Sequence, residues 1–523
     1  MSDAVLQENG MARPPMSDRE MHVIASVEEW NKGLPASALS HKYALIGRSP
    51  VSFFQGTNHL FWADLSGDER LTRFGNSRTV TWIVGDCSTS SFTASGSDSE
   101  GPMYGLSLTD ESVIADYQYD VWRLATSIVL LARENLAAAG SAGAGAASAA
   151  GGAAGGGGGS GGGGAAEESI LRAVVLAFAR KYLKTIMGFK QGEVKGGGGG
   201  EGGAEGANAR KLSQVLLLSG GNMKGRLVRF LAIVEREYSR RRLLKKWCVE
   251  EGGRWAFQEH PGKLQACPKF EEDAVVAALA SYADGVNVKG LARSMHADPA
   301  SCGVSRYMAL TETSSGELHV LDVRMQQRPT AYHFMNPDER RAYRHRFPHE
   351  TDRFLEASAA LCSSHDSSSI GWMELQEGVH PSAAGRYSVR DVSPYEEEYP
   401  AAVSADVKSK LKGFALTTQA DLRSALSIHG PPPLCPTKLQ EGLVELAEDW
   451  ARILASQHAV AASLLDPDPP VDQRPALCQE LALLSKAAAK NEFEELVWEV
   501  ALSYSRQVEY DWRCFQKHLS PQL

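Results

Sequence analysis

The sequence predicts an α+β protein in which helices dominate, and three observations carry that prediction. Apolar residues recur at three- and four-residue spacing through most of the long segments. Runs of β-branched and aromatic residues are few and fall close together. The balance of 43% hydrophobic to 22% charged side chains is that of a globular chain with a large core. At 523 residues the chain is long enough for several domains or one large one. We read 1–40 as an N-terminal tail and 41–523 as a single domain.

In chain order, TVTWIV (79–84) reads as a strand and runs into Gly85 and Asp86. A helix follows over 121–135, where Val121, Leu124, Ala125, Ile128 and Leu131 share a face and Asp120 stands at the N-cap position. Residues 137–166 hold only Gly, Ala and Ser, and 196–207 only Gly, Ala and Glu. Such composition offers no apolar surface to offset ordering entropy, so both are expected to be disordered insertions. Between them, Ile170, Leu171, Val174, Val175, Phe178, Tyr182 and Ile186 mark a helix over 167–188. Further helices are predicted at 223–247, 271–283, 338–363, 440–465 and 491–518. The stretches 306–311 and 317–325 predict a hairpin, and 386–392 another strand.

The composition excludes several classes of function. A formal charge of −9 provides no general field for nucleic acid. The apolar runs break within about ten residues, whereas a membrane span needs roughly 20. The opening MSDAVLQENG lacks the basic and apolar blocks of a secretory signal. The eight cysteines are scattered without a CxxC, which argues against a zinc ribbon or a disulfide scaffold. The expected setting is the reducing cytoplasm. Five cations in SRRRLLKKW (239–247) are flanked by Glu235, Glu237, Glu250 and Glu251, and read as a solvated helix face.

One position carries chemistry by its placement. Asp86 follows a glycine at the end of a strand, where a carboxylate can accept a proton from an attacking hydroxyl. By itself a Gly-Asp pair more often makes a turn.

SPVSFFQG (49–56), TWIVGDCSTSSF (81–92) and YQYDVWRLATSIVL (117–130) give that position a wider context. In order and spacing they resemble landmarks of the domain of unknown function 2252 family: SPFxFxRG, GDxHxxNF, a DFD segment and WDLKRLAxS. The resemblance runs on through GVSRYMAL (303–310), ELHVLDVR (317–324), RYSVRDV (386–392), LASQHAV (454–460) and YSRQVEYDW (504–512). The family's motifs are in turn similar to the catalytic loop, metal-binding segment and nucleotide lysine of protein kinases and aminoglycoside phosphotransferases. The resemblance therefore implies a two-lobed, kinase-like fold with permuted lobe order, and chemistry with ATP and Mg²⁺.

Carried over residue by residue, the resemblance makes Asp86 the base. It places Asp110 and Ser91 at the metal positions, and Arg324, Gly303 and Arg390 at nucleotide positions. The departures are many. The family's His and Asn fall on Ser88 and Ser91, its first DFD aspartate on Leu108, its lysine on Arg324 and its SPFxFxRG arginine on Gln55. Only Gly303 survives from the glycine turn, now DPASCG (298–303), where Pro299 has no N–H for a phosphate. Asp120, Arg123, Arg306, Tyr307, Arg390, His458, Gln507 and Asp511 persist. For Arg123, Arg390 and Asp511 ion pairing is the plainer role, and for His458 a hydrogen-bonded core position.

Phosphoryl transfer rests on positioning and charge neutralisation, so several altered contacts together cost far more than one. The expectation is a degenerate kinase-like protein retained for binding a small molecule or a protein. The alternative is an active phosphotransferase with Asp86 as general base.

Overall fold

A computed structural model describes residues 17–149, 162–191, 225–362, 370–401, 436–467 and 470–519, apart from short stretches inside these spans, the longest being 377–383. The expected insertion 196–207 lies outside the described residues, as do 150–161. The outer parts of 137–166 are helical, because one helix runs Gln118–Ala149 and the next begins at Gly162 and ends at Gln191. Alanine is the best helix former, and it lets each helix continue past its apolar stripe.

The largest core belongs to the helices. Gln118–Ala149, Gly162–Gln191, Pro436–Ala461 and Ala487–Leu519 pack together around Trp122, Tyr182, Trp450 and Phe493, all fully buried. The region read as a tail is folded where described. Helix Asp18–Trp30 is capped by Ser17, buries Val23, Ile24 and Val27, and lies against the C-terminal helix. Arg19 reaches Asp64 at 2.7 Å and Asp511 at 2.5 Å. This contact was missed because three apolar residues are too few to outweigh the polar character of the segment.

The sheets are small. Strand β1 (Val80–Ile83) pairs antiparallel with β4 (Val113–Asp116), and β2 (Phe92–Ser97) pairs with β3 (Gly101–Leu106) and β13 (Glu397–Glu398). Strands β5 (Cys248–Glu251) and β6 (Arg254–Phe257) form a separate hairpin. Six further strands make one sheet: β7 (Leu264–Ala266), β8 (Asn287–Ser294), β9 (Arg306–Glu312), β10 (Leu318–Met325), β11 (Ile370–Leu375) and β12 (Gly385–Asp391). Their spatial order is β11-β12-β10-β9-β8-β7. The expected hairpin is thus present, and 386–392 pairs with its second strand. Period-two alternation gives this sheet two apolar faces. Tyr307, Ala309 and Val323 pack with Val275 and Leu279, while Met308, Leu310 and Val320 pack with Leu243 and Leu244.

Two expected helices are each divided in two. The segment 223–247 becomes Arg226–Glu237 and Arg240–Trp247, with Ser239 capping the second. The segment 338–363 becomes Pro337–Arg346 and Glu350–Leu361, the first closed by an Asn336–Glu339 capping box.

Candidate functional site

Strand β1 ends at Ile83, and the chain turns at Gly85 with φ +80°, a conformation that favours glycine. A Cβ there would collide with the carbonyl oxygen of Glu111, so glycine also lets the loop after β3 come close. Asp120 fixes this turn from below. It lies in the first helical turn of Gln118–Ala149 and is not the N-cap: its carboxylate accepts the N–H groups of Val84 at 2.7 Å and Gly85 at 3.0 Å. His458 Nε2 lies 3.2 Å from Asp120 Oδ2, and its Nδ1 lies 2.7 Å from Tyr182 Oη. The core histidine expected from the sequence is thus one link of a fully buried Tyr182–His458–Asp120 chain that positions the turn before Asp86.

A second buried anchor holds the facing loop. Arg353 donates to the carbonyl oxygens of Ser112 at 2.8 Å, Asp110 at 2.7 Å and Gln327 at 3.1 Å, and its Nε reaches Glu350 at 3.1 Å. Asp110 and Glu111 are thereby fixed against the end of β10. Glu111 accepts the N–H of Thr330 at 2.6 Å, and Asn58 joins Glu111 to the carbonyl of Gly85.

The result is a cleft with Asp86 at its centre. On one side, a cavity of about 90 Å³ is lined by Asp86, Asp110, Glu111, Arg324 and Gln326, under the turn containing Ala300, Ser301 and Val304. On the other, a cavity of about 130 Å³ is lined by Asp86, Glu111, Asn31, Lys42, Asn58 and Gly303, among others. The structure therefore brings together Asp86, Asp110 and Arg324, three residues far apart in the chain. Asp86 makes no hydrogen bond or ion pair among the described residues. Burial, then the neighbouring Glu111 carboxylate, pushes its carboxyl up to about 8. Arg123 is fully buried without a carboxylate in ion-pair contact among the described residues: it donates to the carbonyl of Phe54 at 3.2 Å and lies 4.2 Å over that ring.

Several assigned roles do not match the geometry. Asp110, read as a metal ligand, is ion-paired to Arg324 at 2.7 Å and accepts from Gln326 at 3.0 Å. Ser91, the other metal position, is buried, and its hydroxyl accepts the N–H of Ser88 at 3.0 Å in a short 3₁₀ turn. Among the described residues no three His, Cys, Asp or Glu side chains are gathered so as to hold a metal ion. Arg390 is absent from both cavities. Its Nε binds Asp322 at 3.0 Å, in the anchoring role that was the plainer alternative. Gly303 has φ +92°, and a Cβ there would collide with Leu34, so this glycine admits the N-terminal segment and lines only the larger cavity. Asp511 pairs with Arg19 as expected. In the basic run, Arg240 is not free in solvent: it bridges Asp98 at 2.7 Å and Asp391 at 3.2 Å.

An ATP–Mg²⁺ group does not fit these residues as they stand. Ligand pockets for such molecules span roughly 300–1,000 Å³, several times either cavity, and the arginine and aspartate that would take phosphate and metal hold each other.

Sequence reasoning missed Lys42, Asn58, Glu111, Gln326 and Arg353. Glu111 carried a usable signal, since it adjoins Asp110; Asn58 and Gln326 each stand two residues beyond a landmark, SPVSFFQG and ELHVLDVR, while Lys42 and Arg353 lie in helices with no motif around them.

No described helix is long and apolar enough to cross a membrane. No curated protein and no solved structure matches the chain. The landmarks at 454–460 and 504–512 fall beyond the stretch that matches a family. Residues 35–151 and 161–417 match the family described as "uncharacterized protein conserved in bacteria" (DUF2252), which covers most of the chain, and the protein belongs to that family.

Proposed function

We propose that this protein is a degenerate kinase-like member of its family, impaired in phosphoryl transfer and retained for binding a small molecule in the cleft around Asp86. One observation carries the reading: Arg324 Nη1 and Asp110 Oδ2, both in the lining of the smaller cavity, are in direct contact at 2.7 Å. A phosphate or a metal ion would have to displace this half-buried, charge-assisted bond. Ser88 and Ser91, bonded within their own turn, add no ligand in its place.

The second reading is an ATP- and Mg²⁺-dependent phosphotransferase with Asp86 as general base. It is favoured by the carboxyl of Asp86, which faces a cavity without a partner and is pushed up to about 8, a basicity suited to taking a proton near neutral pH.

Thermal denaturation with millimolar ATP and Mg²⁺ separates the two. Ligand bound only to the folded state stabilises by RT ln(1 + [L]/Kd), about 2.7 kcal/mol at a hundredfold excess over Kd. We expect no shift in Tm and no ATP turnover. A clear rise in Tm, with turnover lost in Asp86→Asn, would establish the second reading instead.

A further inference from the structure

One wall of the larger cavity beside Asp86 is held differently from the rest. It is the end of helix Asp18–Trp30 and the turn leading to the next helix, Ala36–Ile46, and it supplies Trp30, Asn31 and Leu34 to the lining. From 28 to 37 only Asn31 is buried and Leu34 half-buried; the others are exposed. Segments with few buried contacts and an exposed backbone open locally at low free energy. The flanks are much better anchored. Arg19 meets Asp64 and Asp511, Val23, Ile24 and Val27 are buried, and the next helix buries Lys42, Leu45 and Ile46. Movement is thereby confined to Trp30–Leu34. Gly33, at φ +102° with open space around it, gives that turn a hinge.

Two contacts keep the turn down. Trp30 is stacked on His59, with ring centres 4.9 Å apart and planes 9° from parallel, and Leu34 packs on Gly303. The same arrangement seals polar atoms that have no hydrogen-bond partner among the described residues: Asn31 Oδ1 and both ring nitrogens of His59. Burial, then Lys42, lowers the basicity of His59 to about 3, so its ring is neutral, with one nitrogen a donor and the other an acceptor, and neither is satisfied. Sealed polar groups of this kind are costly, and water would satisfy all of them once the turn lifted. Stacking and packing favour the shut position; the unsatisfied atoms favour the open one.

We propose that Trp30–Leu34 is a gate on the larger cavity, which rests shut on His59 and Gly303 and lifts to admit a ligand to Asp86. The proposal rests on the reading that this cleft binds a small molecule, and it supplies the way in.

Cys302 reports on the gate. Its side chain is 6% exposed, lines the same cavity and donates to the carbonyl of Ala38 at 3.4 Å, so a reagent reaches it only when the cavity opens. Cys478, 3% exposed in the helical core, lines neither cavity and reports on global unfolding. The test is native-state alkylation of the full chain with iodoacetamide, mapped by peptide mass spectrometry, each rate taken relative to the same cysteine in the urea-unfolded chain. No ligand is added, so failure here is distinct from failure of the binding reading. We expect Cys302 to react faster than Cys478. Trp30→Ala removes the stack and should speed Cys302 about tenfold with Cys478 unchanged. His59→Phe keeps a ring for Trp30 but removes the sealed nitrogens, and should slow Cys302 about tenfold. Changes of opposite sign cannot both come from a general loss of stability. If Trp30→Ala speeds both cysteines it has lost its fold, and Leu34→Ala, which frees the turn from Gly303, takes its place with the same expected result. Equal relative rates for Cys302 and Cys478 in the wild type would mean that the cavity opens only on unfolding, and would overturn the gate. Cys302 unchanged in His59→Phe, or in the folded one of the two loosening variants, would overturn it as well.

Discussion

Asp86 lines the cleft, Asp322 lies within the sheet on the strand that brings Arg324 to it, and burial has opposite consequences for them. Asp322 lies on β10, two residues before Arg324, and is 2% exposed. Arg306 on β9 meets it at 2.5 Å and Arg390 on β12 at 3.0 Å, so one carboxylate ties three strands on one face of the sheet. Burial works against its charge, but the two guanidinium groups outweigh burial and hold the carboxyl well below the usual range. Asp86 has no such partner. Burial and then Glu111 act in the same direction, and Arg123 only moderates them. The same residue type is a fixed charge in the sheet and a near-neutral titrating group in the cleft. A fixed, fully paired charge builds a sheet; an unpaired group at the end of a strand is free to meet a ligand.

The contrast is broken most forcefully at Asp322. Asp322→Asn leaves Arg306 and Arg390 as buried cations without their counter-charge, and should cost about 3–5 kcal/mol in chemical denaturation. Its stabilising charge is present above the unfolded-state value near 3.9 and is lost as pH falls below it. The variant should therefore lose stability chiefly at neutral pH, with the gap from wild type closing in acid. A loss under about 1 kcal/mol would mean that the two arginines find solvent, and that the triad is ornamental.

Asp86→Asn should do the reverse. The folded-state value of about 8 lies above the unfolded one, so the group's contribution is fully present below pH ~4 and is lost as pH rises toward 8. Asparagine does not titrate. The variant should match wild type in acid and become more stable than it by about 1–3 kcal/mol near pH 8, the discount from the full shift reflecting the partial exposure of Asp86. Equal stability of the two proteins from pH 5 to 8 would show that Asp86 is solvated and ordinary. Acidic wild type losing stability faster than the variant would reverse the sign and give Asp86 a hidden cation.

Much of the helical framework was legible because burial on one face leaves a 3.6-residue period, as at Ile170 through Ile186. The hairpin at 306–325 was legible because it alternates between two apolar faces. Strands β2 and β3 were not: FTASGS and GPMYGL carry glycine and serine where a strand pattern needs bulk, and their pairing depends on neighbours distant in sequence. At the site, Gly85 and Asp86 could be read from position alone. The residues that line the cleft with Asp86 could not, because they come from unrelated places: Lys42 and Asn58 from the first helices, Glu111 from a loop pinned by Arg353, Gln326 from beyond the end of β10. A buried arginine that binds carbonyl oxygens, as Arg353 does, leaves no pattern in the sequence, since its acceptors are backbone groups common to every residue. Ser91 and Arg390 show the converse. Each kept or approximated a family landmark, yet the nearest available partner, the N–H of Ser88 or the carboxylate of Asp322, claimed it.

The smallest effect concerns the Arg324–Asp110 pair, which stands between the two extremes. It is closer to solvent than Asp322, with the side chains 14% and 24% exposed, and Gln326 shares the load on Asp110. A double-mutant cycle with Arg324→Met and Asp110→Asn should give a coupling of about 0.5–1.5 kcal/mol, below that of a fully buried pair and above that of most surface pairs. Added salt should lower it only in part, because half-buried charges are poorly screened. A coupling near 3 kcal/mol would place the pair in the class of Asp322, as a structural lock that no phosphate could open. No coupling at all would remove the observation on which the impaired-kinase reading depends, since Arg324 would then be as free to meet a phosphate as to meet Asp110. Only an intermediate value agrees with a cleft that is closed at rest on this side and still open to a small ligand on the other side of Asp86.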